Sequence, residues 1–119
     1  MEKFISWVEI PSTNLERAAK FYNTVLKTDL QITDFGEEKM ACFPNGEGAM
    51  TQTKGFNPSV DGAIVSFNTG EDIRGALERA QSNGGEIVLD KTEIEAEHSG
   101  FFALIKDTEG NKVGLYGNK

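Results

Sequence analysis

The sequence predicts an α+β fold built from two βαβββ modules, on the strength of three observations. Short segments rich in β-branched and aromatic residues alternate with segments whose apolar residues recur at helical spacing. The order of segments in residues 1–56 recurs in residues 57–119. Corresponding segments are offset by about 56 to 58 residues, a spacing typical of internal duplication. We therefore expect residues 1–119 to form one domain, with a curled mixed sheet, a central cleft and helices on the outside.

The first module reads as a strand, a helix and three further strands. Residues 4–10 (FISWVEI) predict a strand that stops at Pro11. Residues 12–27 predict an amphipathic helix, and Thr13 with Glu16 gives it a capping-box start. The three strands are expected at residues 29–34, 39–43 and 48–53.

The second module repeats this order. A strand at residues 63–67 leads into a helix that Asn83-Gly84-Gly85 ends, since glycine takes the left-handed conformation after a helix at little cost. The turn DTEGN places Gly110 where a positive φ is needed. The remaining strands are expected at residues 86–90, 101–106 and 112–116.

Composition restricts the classes of partner and compartment. The net charge of −7 argues against binding to nucleic acid or to an anionic membrane surface. No apolar run approaches the roughly 20 residues of a membrane span, and residues 1–11 lack the apolar core of a signal peptide. The single cysteine, Cys42, makes a reducing compartment the default. We expect a cytoplasmic protein.

Three stretches resemble the vicinal-oxygen-chelate superfamily, which includes glyoxalase I, bleomycin-resistance proteins and extradiol dioxygenases. FISWVEIPSTNLERAAKFYNTVL is similar to the opening of its first module, and SFNTGEDIRGALERAQSNGGEIV to the start of its second. GFFALIKDTEGNKVGLYG resembles its last hairpin. The resemblance covers almost the whole chain. It implies the paired βαβββ architecture, a small-molecule ligand and a homodimer.

The resemblance also implies four metal-ligand positions, two in each module. Three of these positions hold Trp7, Ala63 and Gly114, and the fourth holds Gln52 or Met50. An indole N–H only donates hydrogen bonds, and neither alanine nor glycine offers a side-chain lone pair. A catalytic metal needs several oxygen, nitrogen or sulfur ligands. We therefore expect no metal ligands and no cofactor, with a divalent metal only under an enzymatic alternative.

Trp7 and Glu9 are candidate residues of the first strand. Trp7 is interpreted either as an aromatic surface for a ligand, or as a side chain that fills the vacated metal site against Ala63 and Gly114. Glu9 is two residues further along and shares the face of Trp7. It is the candidate general base if that face lines a cleft. Otherwise it is a solvated carboxylate, or one paired with Lys112.

Tyr116 shares the face of Gly114, so its hydroxyl either reaches a ligand or belongs to a tyrosine at an interface or a rim. Cys42 is expected to be a buried structural thiol. His98 and Ser99 are interpreted as surface residues of a polar loop, which could also close over the cleft. The candidate ligand-binding residues are Trp7, Glu9, Met50, Gln52, Ala63, Gly114 and Tyr116, and Glu9 is the catalytic candidate.

Three functions remain open from the sequence. The first is a metal-free small-molecule-binding protein. The second is a glyoxalase-like lyase or isomerase with a non-standard site around Glu9, Gln52 and His98. The third is a dimeric interaction module whose cleft is filled by Trp7.

Overall fold

The computed structural model describes residues 3–95 and 100–119, so His98 and Ser99 lie outside the described residues. In the described ranges the chain forms two α-helices, α1 (Leu15–Leu26) and α2 (Ile73–Ser82), and a short 3₁₀ turn at Pro44–Gly46. The strands are β1 (Val8–Pro11), β2 (Ile32–Asp34), β3 (Glu38–Cys42), β4 (Gly48–Thr53), β5 (Ser66–Asn68), β6 (Glu86–Glu93), β7 (Phe101–Lys106) and β8 (Lys112–Gly117).

The two modules have the same sheet topology. The first sheet has the strand order β1-β4-β3-β2 and the second has the order β5-β8-β7-β6. In each sheet the first and last strands of the module pair in parallel, and the other pairs are antiparallel. The predicted βαβββ duplication is therefore confirmed. Among residues 3–95 and 100–119, the strands form two open sheets with no ladder hydrogen bonds between them, rather than one continuous sheet.

Helix α1 follows from its sequence pattern. Its inner side chains, spaced three and four residues apart, are almost wholly buried. The N-cap is Asn14, whose side-chain oxygen accepts a hydrogen bond from the Arg17 amide at 3.1 Å. The predicted cap at Thr13 is thus displaced by one residue. Asn14 has the extended conformation of an N-cap, with φ −146° and ψ 92°.

One apolar core joins the two modules. Side chains from both helices and from one face of each sheet form a contiguous buried cluster. Tyr22 of α1 packs against Phe67 of β5 with ring centroids 5.2 Å apart, so the contact crosses from one module to the other. Arg79 of α2 donates hydrogen bonds to the Val25 carbonyl of α1 at 3.0 and 3.2 Å. In the described part of the chain, neither α-helix covers the opposite face of its sheet.

Two sequence-based expectations about the first module are wrong. Cys42 is exposed rather than buried, because its neighbour Ala41 faces the core and side chains alternate along a strand. The first strand starts at Val8 rather than Phe4, and the Phe4 and Ile5 side chains are exposed. Among the described residues no helix has the length and apolar character needed to cross a bilayer.

Candidate small-molecule site

Two of the open pockets between the modules lie along β1 and the segment that leads into β5. The β1–β8 pocket has a volume of about 330 Å³ and takes its walls from β1, the connecting segment 56–65 and the start of β8. The β3–β5 pocket, of about 380 Å³, is lined by the end of α1, the β3–β4 turn and β5. Val8 and Val65 line both pockets. Both volumes fall within the roughly 300–1,000 Å³ that small-molecule sites occupy.

The β1–β8 pocket combines an apolar lining with two charged side chains. Its apolar lining residues include Val8, Ile10, Phe56, Val65 and Val113. Glu9 and Lys112 supply the charges. An apolar cavity with a few polar groups is the usual composition of a binding site, because the apolar walls supply affinity and the polar groups fix orientation.

Glu9 is held by a neighbouring strand rather than by a cation. Its Oε1 accepts a hydrogen bond from the hydroxyl of the buried Thr51 at 2.8 Å. The sequence left open an ion pair between Glu9 and Lys112. Within the described ranges, these two residues form no ion pair. The carboxylate is exposed to solvent and oriented by one donor.

A buried polar network fixes the wall between β1 and β8. Asp107 Oδ2 accepts hydrogen bonds from the Tyr22 hydroxyl at 2.6 Å and from Asn111 Nδ2 at 3.1 Å. The same Nδ2 group donates to the Pro11 carbonyl at 2.8 Å, and Asn111 Oδ1 accepts from the Ser59 amide. Burial raises the pKa of Tyr22 well above its usual value, and the nearby Asp107 charge adds to this effect. Asn111 thereby ties β1 and the connecting segment to β8.

Glu109 ties the same turn to the start of α1. Its carboxylate accepts hydrogen bonds from the Ser12 hydroxyl and from the Thr13 and Asn14 amides at 3.0–3.2 Å. Arg17 Nε completes an ion pair with it at 2.6 Å. Burial alone would raise the pKa of Glu109, but the hydrogen bonds from Arg17, Ser12 and Asn14 outweigh this effect and lower it. The DTEGN segment therefore holds the two modules together.

Met50 and Gln52 lie on the helix side of the first sheet, not on the face of Glu9. Met50 is completely buried in the core. The Gln52 side-chain oxygen accepts a hydrogen bond from the Leu15 amide at 2.8 Å, which satisfies one of the orphan donors at the start of α1. Neither residue lines the β1–β8 or the β3–β5 pocket. The prediction that Met50 and Gln52 face the cleft is therefore wrong, because the strand register turns them toward the helix side.

Gly114 is buried because Ser66 covers it. The two residues are partners in the parallel β5–β8 pair. A Cβ atom at position 114 would overlap the Ser66 hydroxyl and lie 3.2 Å from the Ser66 Cβ. This close approach explains a glycine in the middle of a strand. A carboxylate side chain at position 114 has no room while Ser66 keeps this position.

The remaining predicted residues fall in different places. Ala63 joins Glu9 in the wall of the β1–β8 pocket. Trp7 precedes β1, is 42% exposed and lines neither of the two pockets, so it does not fill them. Tyr116 is half-buried in β8, opposite Phe102 of β7 and outside both linings. Of the predicted set, the structure brings only Glu9 and Ala63 into one cavity.

The fold and its duplicated sheets match known proteins. The family model of the Glyoxalase/Bleomycin resistance protein/Dioxygenase superfamily matches residues 4–115. The chain belongs to this superfamily. A glyoxylase-like domain-containing protein of Didymella fabae is 32% identical over 116 residues, covering 90% of this chain and 88% of its own.

Solved structures share the fold at low sequence identity. A glyoxalase/bleomycin resistance protein from Albidiferax ferrireducens T118 superposes with a TM-score of 0.73 at 17% identity, covering 97% of this chain and 99% of its own. A single-residue variant of glyoxalase I from Zea mays superposes with a TM-score of 0.68 at 21% identity. The match covers 94% of this chain but only 45% of the maize enzyme.

The superfamily resemblance implies metal ligands, and the described residues do not fit them. Within residues 3–95 and 100–119, no three His, Cys, Asp or Glu side chains come together to hold a metal ion. Trp7, Ala63 and Gly114 offer no suitable donor, and a side chain at position 114 would overlap Ser66 in its observed position. Gln52 is already bonded to Leu15.

Asn111, Lys112 and Phe56 also line the β1–β8 pocket, although they were not among the predicted ligand-binding residues. The turn DTEGN could have indicated a role beyond chain reversal. Four of its five residues are polar or charged, whereas a hairpin turn needs only the glycine. No local pattern singles out Phe56, whose role depends on the path of the connecting segment.

Proposed function

We propose that this superfamily member binds an organic small molecule in the β1–β8 pocket without a metal ion. The observation that carries the proposal is the pocket itself: an open, mostly apolar cavity of about 330 Å³ between the two modules, with Glu9 and Lys112 as its charged lining residues. The donor set at the superfamily's metal positions supports the metal-free part of the proposal, since those positions hold an indole, a methyl group and a glycine.

Hydrogen bonds hold two sides of the pocket in place, which favours binding. Asn111, just before β8, donates to the Pro11 carbonyl of β1 and to Asp107 of its own turn. Thr51 orients Glu9 from the neighbouring strand. Walls that are already ordered reduce the conformational entropy lost when a ligand binds.

Protein stripped of metal with a chelator would be screened against metabolite and drug-like compounds by thermal shift, and hits titrated by calorimetry. We expect hits that raise the Tm in the presence of the chelator. The test variant is Ala63→Phe, which puts a ring into the pocket. Its matched control is Ile64→Phe, the adjacent residue, which is 44% exposed and lines neither pocket.

The proposal requires that Ala63→Phe weakens binding at least tenfold while Ile64→Phe binds as the wild type does. Equal affinity of both variants would place the ligand elsewhere and contradict the proposal. Turnover of a hemithioacetal that appears only after zinc, nickel or manganese is added would support the lyase or isomerase alternative instead.

We further propose that the chain forms a homodimer in the cytoplasm. Several large apolar side chains are exposed, among them Phe4, Ile5, Phe35, Ile64 and Val88, and contact with a second copy would cover such residues. The single cysteine fits a reducing compartment. Sedimentation equilibrium over a dilution series should give twice the chain mass of 13.0 kDa, and a constant monomer mass would contradict the dimer.

A further inference from the structure

The β1–β8 pocket carries one charge of each sign, on different modules. Glu9 belongs to β1 and Lys112 opens β8, and both line the cavity. Glu9 has a hydroxyl partner in Thr51 but no cationic partner among the described residues. Lys112 is half-buried and also lacks an ion-pair partner in the described part of the chain.

Two charged residues near Lys112 in the β7–β8 hairpin already have partners. Lys106 stands opposite Lys112 in the β7–β8 pair, and it forms an ion pair with Glu86 at 3.3 Å. Asp107 is buried and receives hydrogen bonds from Tyr22 and from both nitrogens of Asn111. Lys112 is therefore the positive group of the cavity that is available for an anion.

We propose that the β1–β8 pocket selects a zwitterion with an apolar side chain, such as an amino acid or short peptide, whose ammonium binds Glu9 and whose carboxylate binds Lys112. This inference rests on the proposed function and specifies the ligand. The apolar part contacts Val8, Val65 and Phe56, which are half-buried in the wall.

A ligand with only one charge is disfavoured by desolvation. Such a ligand forms an ion pair with either Glu9 or Lys112 and shields the other charged group from water. Removing water from a charge that gains no partner costs free energy. A zwitterion pairs with both walls. The cavity thereby discriminates by differences in desolvation rather than by attraction alone.

Calorimetry with two probes, each in three forms, tests this inference. The probes are L-phenylalanine and L-leucyl-L-leucine, each compared with its N-acetyl and its C-terminal amide derivatives. The N-acetyl form lacks the ammonium and the amide form lacks the carboxylate. We expect at least one parent probe to bind at least tenfold more tightly than both of its derivatives.

Two variants assign each charge to its wall. In Glu9→Gln the parent probe should bind about tenfold more weakly, and its advantage over the N-acetyl form should disappear. In Lys112→Gln the advantage over the amide form should disappear. Glu78→Gln and Lys20→Gln, at exposed positions of the helices away from the pocket, should leave every affinity unchanged.

The outcomes separate this inference from the function on which it rests. Library hits that Ala63→Phe abolishes, together with parent probes that bind no better than their blocked forms, would overturn the zwitterion and leave the proposed site intact. No binding of any compound to the wild type would overturn both.

Discussion

The Ser66 hydroxyl occupies the space that a side chain at position 114 would need. Ser66 and Gly114 are direct partners on the parallel strands β5 and β8. The glycine therefore accommodates the Ser66 side chain in its observed position. This relationship also closes one of the superfamily's metal-ligand positions to a carboxylate.

Gly114→Ala should destabilise the protein by about 1–3 kcal/mol, because the new methyl group overpacks against Ser66. Ser66→Gly removes both atoms that the methyl group would meet most closely. The double variant should therefore lose less stability than the two single losses summed. Urea unfolding of the wild type, both single variants and the double variant measures this coupling, and strict additivity would contradict it.

Glu109→Gln should lower the free energy of unfolding by about 1–3 kcal/mol near neutral pH, because a charged acceptor of several hydrogen bonds is lost. The folded-state pKa of Glu109 is lowered, so its contribution is complete above the unfolded pKa of about 4.3 and is lost as the pH falls through the folded pKa. Urea melts between pH 7 and pH 3 should show the wild-type advantage shrinking on acidification.

The exposed helix residue Glu78 offers the matched control for this pH series. Glu78→Gln should change stability by less than about 0.5 kcal/mol. A wild-type advantage over Glu109→Gln that stays constant down to pH 3 would show that the Glu109 charge does not hold the turn to α1.

The Tyr116→Phe variant leaves Tyr22 as the only tyrosine of the chain. Since burial and Asp107 raise the pKa of Tyr22, its tyrosinate absorbance should remain absent well above pH 10, the usual tyrosine range. The raised pKa stabilises the fold below about pH 10 and loses this effect as the pH rises through the folded value. Tyrosinate absorbance should therefore appear together with alkaline unfolding followed by circular dichroism, and earlier ionisation in the folded protein would contradict the burial.

Tyr22→Phe should cost about 1–3 kcal/mol, because Asp107 Oδ2 loses its 2.6 Å donor while staying buried. Removing Asn111 by an Asn111→Ala change should cost a similar amount and also weaken any ligand of the β1–β8 pocket, because Asn111 lines it. Thermal unfolding with and without a bound compound distinguishes the two variants. Equal loss of ligand affinity in both would mean that Asn111 acts only through overall stability.

The fold was predictable because its signals are local. Helical spacing in α1 and α2, glycine turns and β-rich segments recur in the same order in both halves. It was harder to predict which side chains of a short strand face the core. In β3, Met40, Ala41 and Cys42 are all apolar enough to face a core, and the sequence does not show that Ala41 does so.

The site was less predictable because it depends on contacts between distant residues. Glu109 meets Arg17 across 92 positions of the sequence, and Asn111 meets Pro11 across 100. Gln52 looked like a cleft residue, but it satisfies the Leu15 amide at the start of α1. Such roles follow from how the modules pack, which residue spacing within one module does not specify.

The most direct test of the metal-free β1–β8 pocket is an amide chemical-shift titration of the metal-stripped protein with a hit from the ligand screen. We expect the largest shifts at Glu9, Ala63, Asn111 and Lys112, with the same pattern in the presence and absence of a chelator. Shifts centred on the β3–β5 pocket, or shifts that require added divalent metal, would contradict the account.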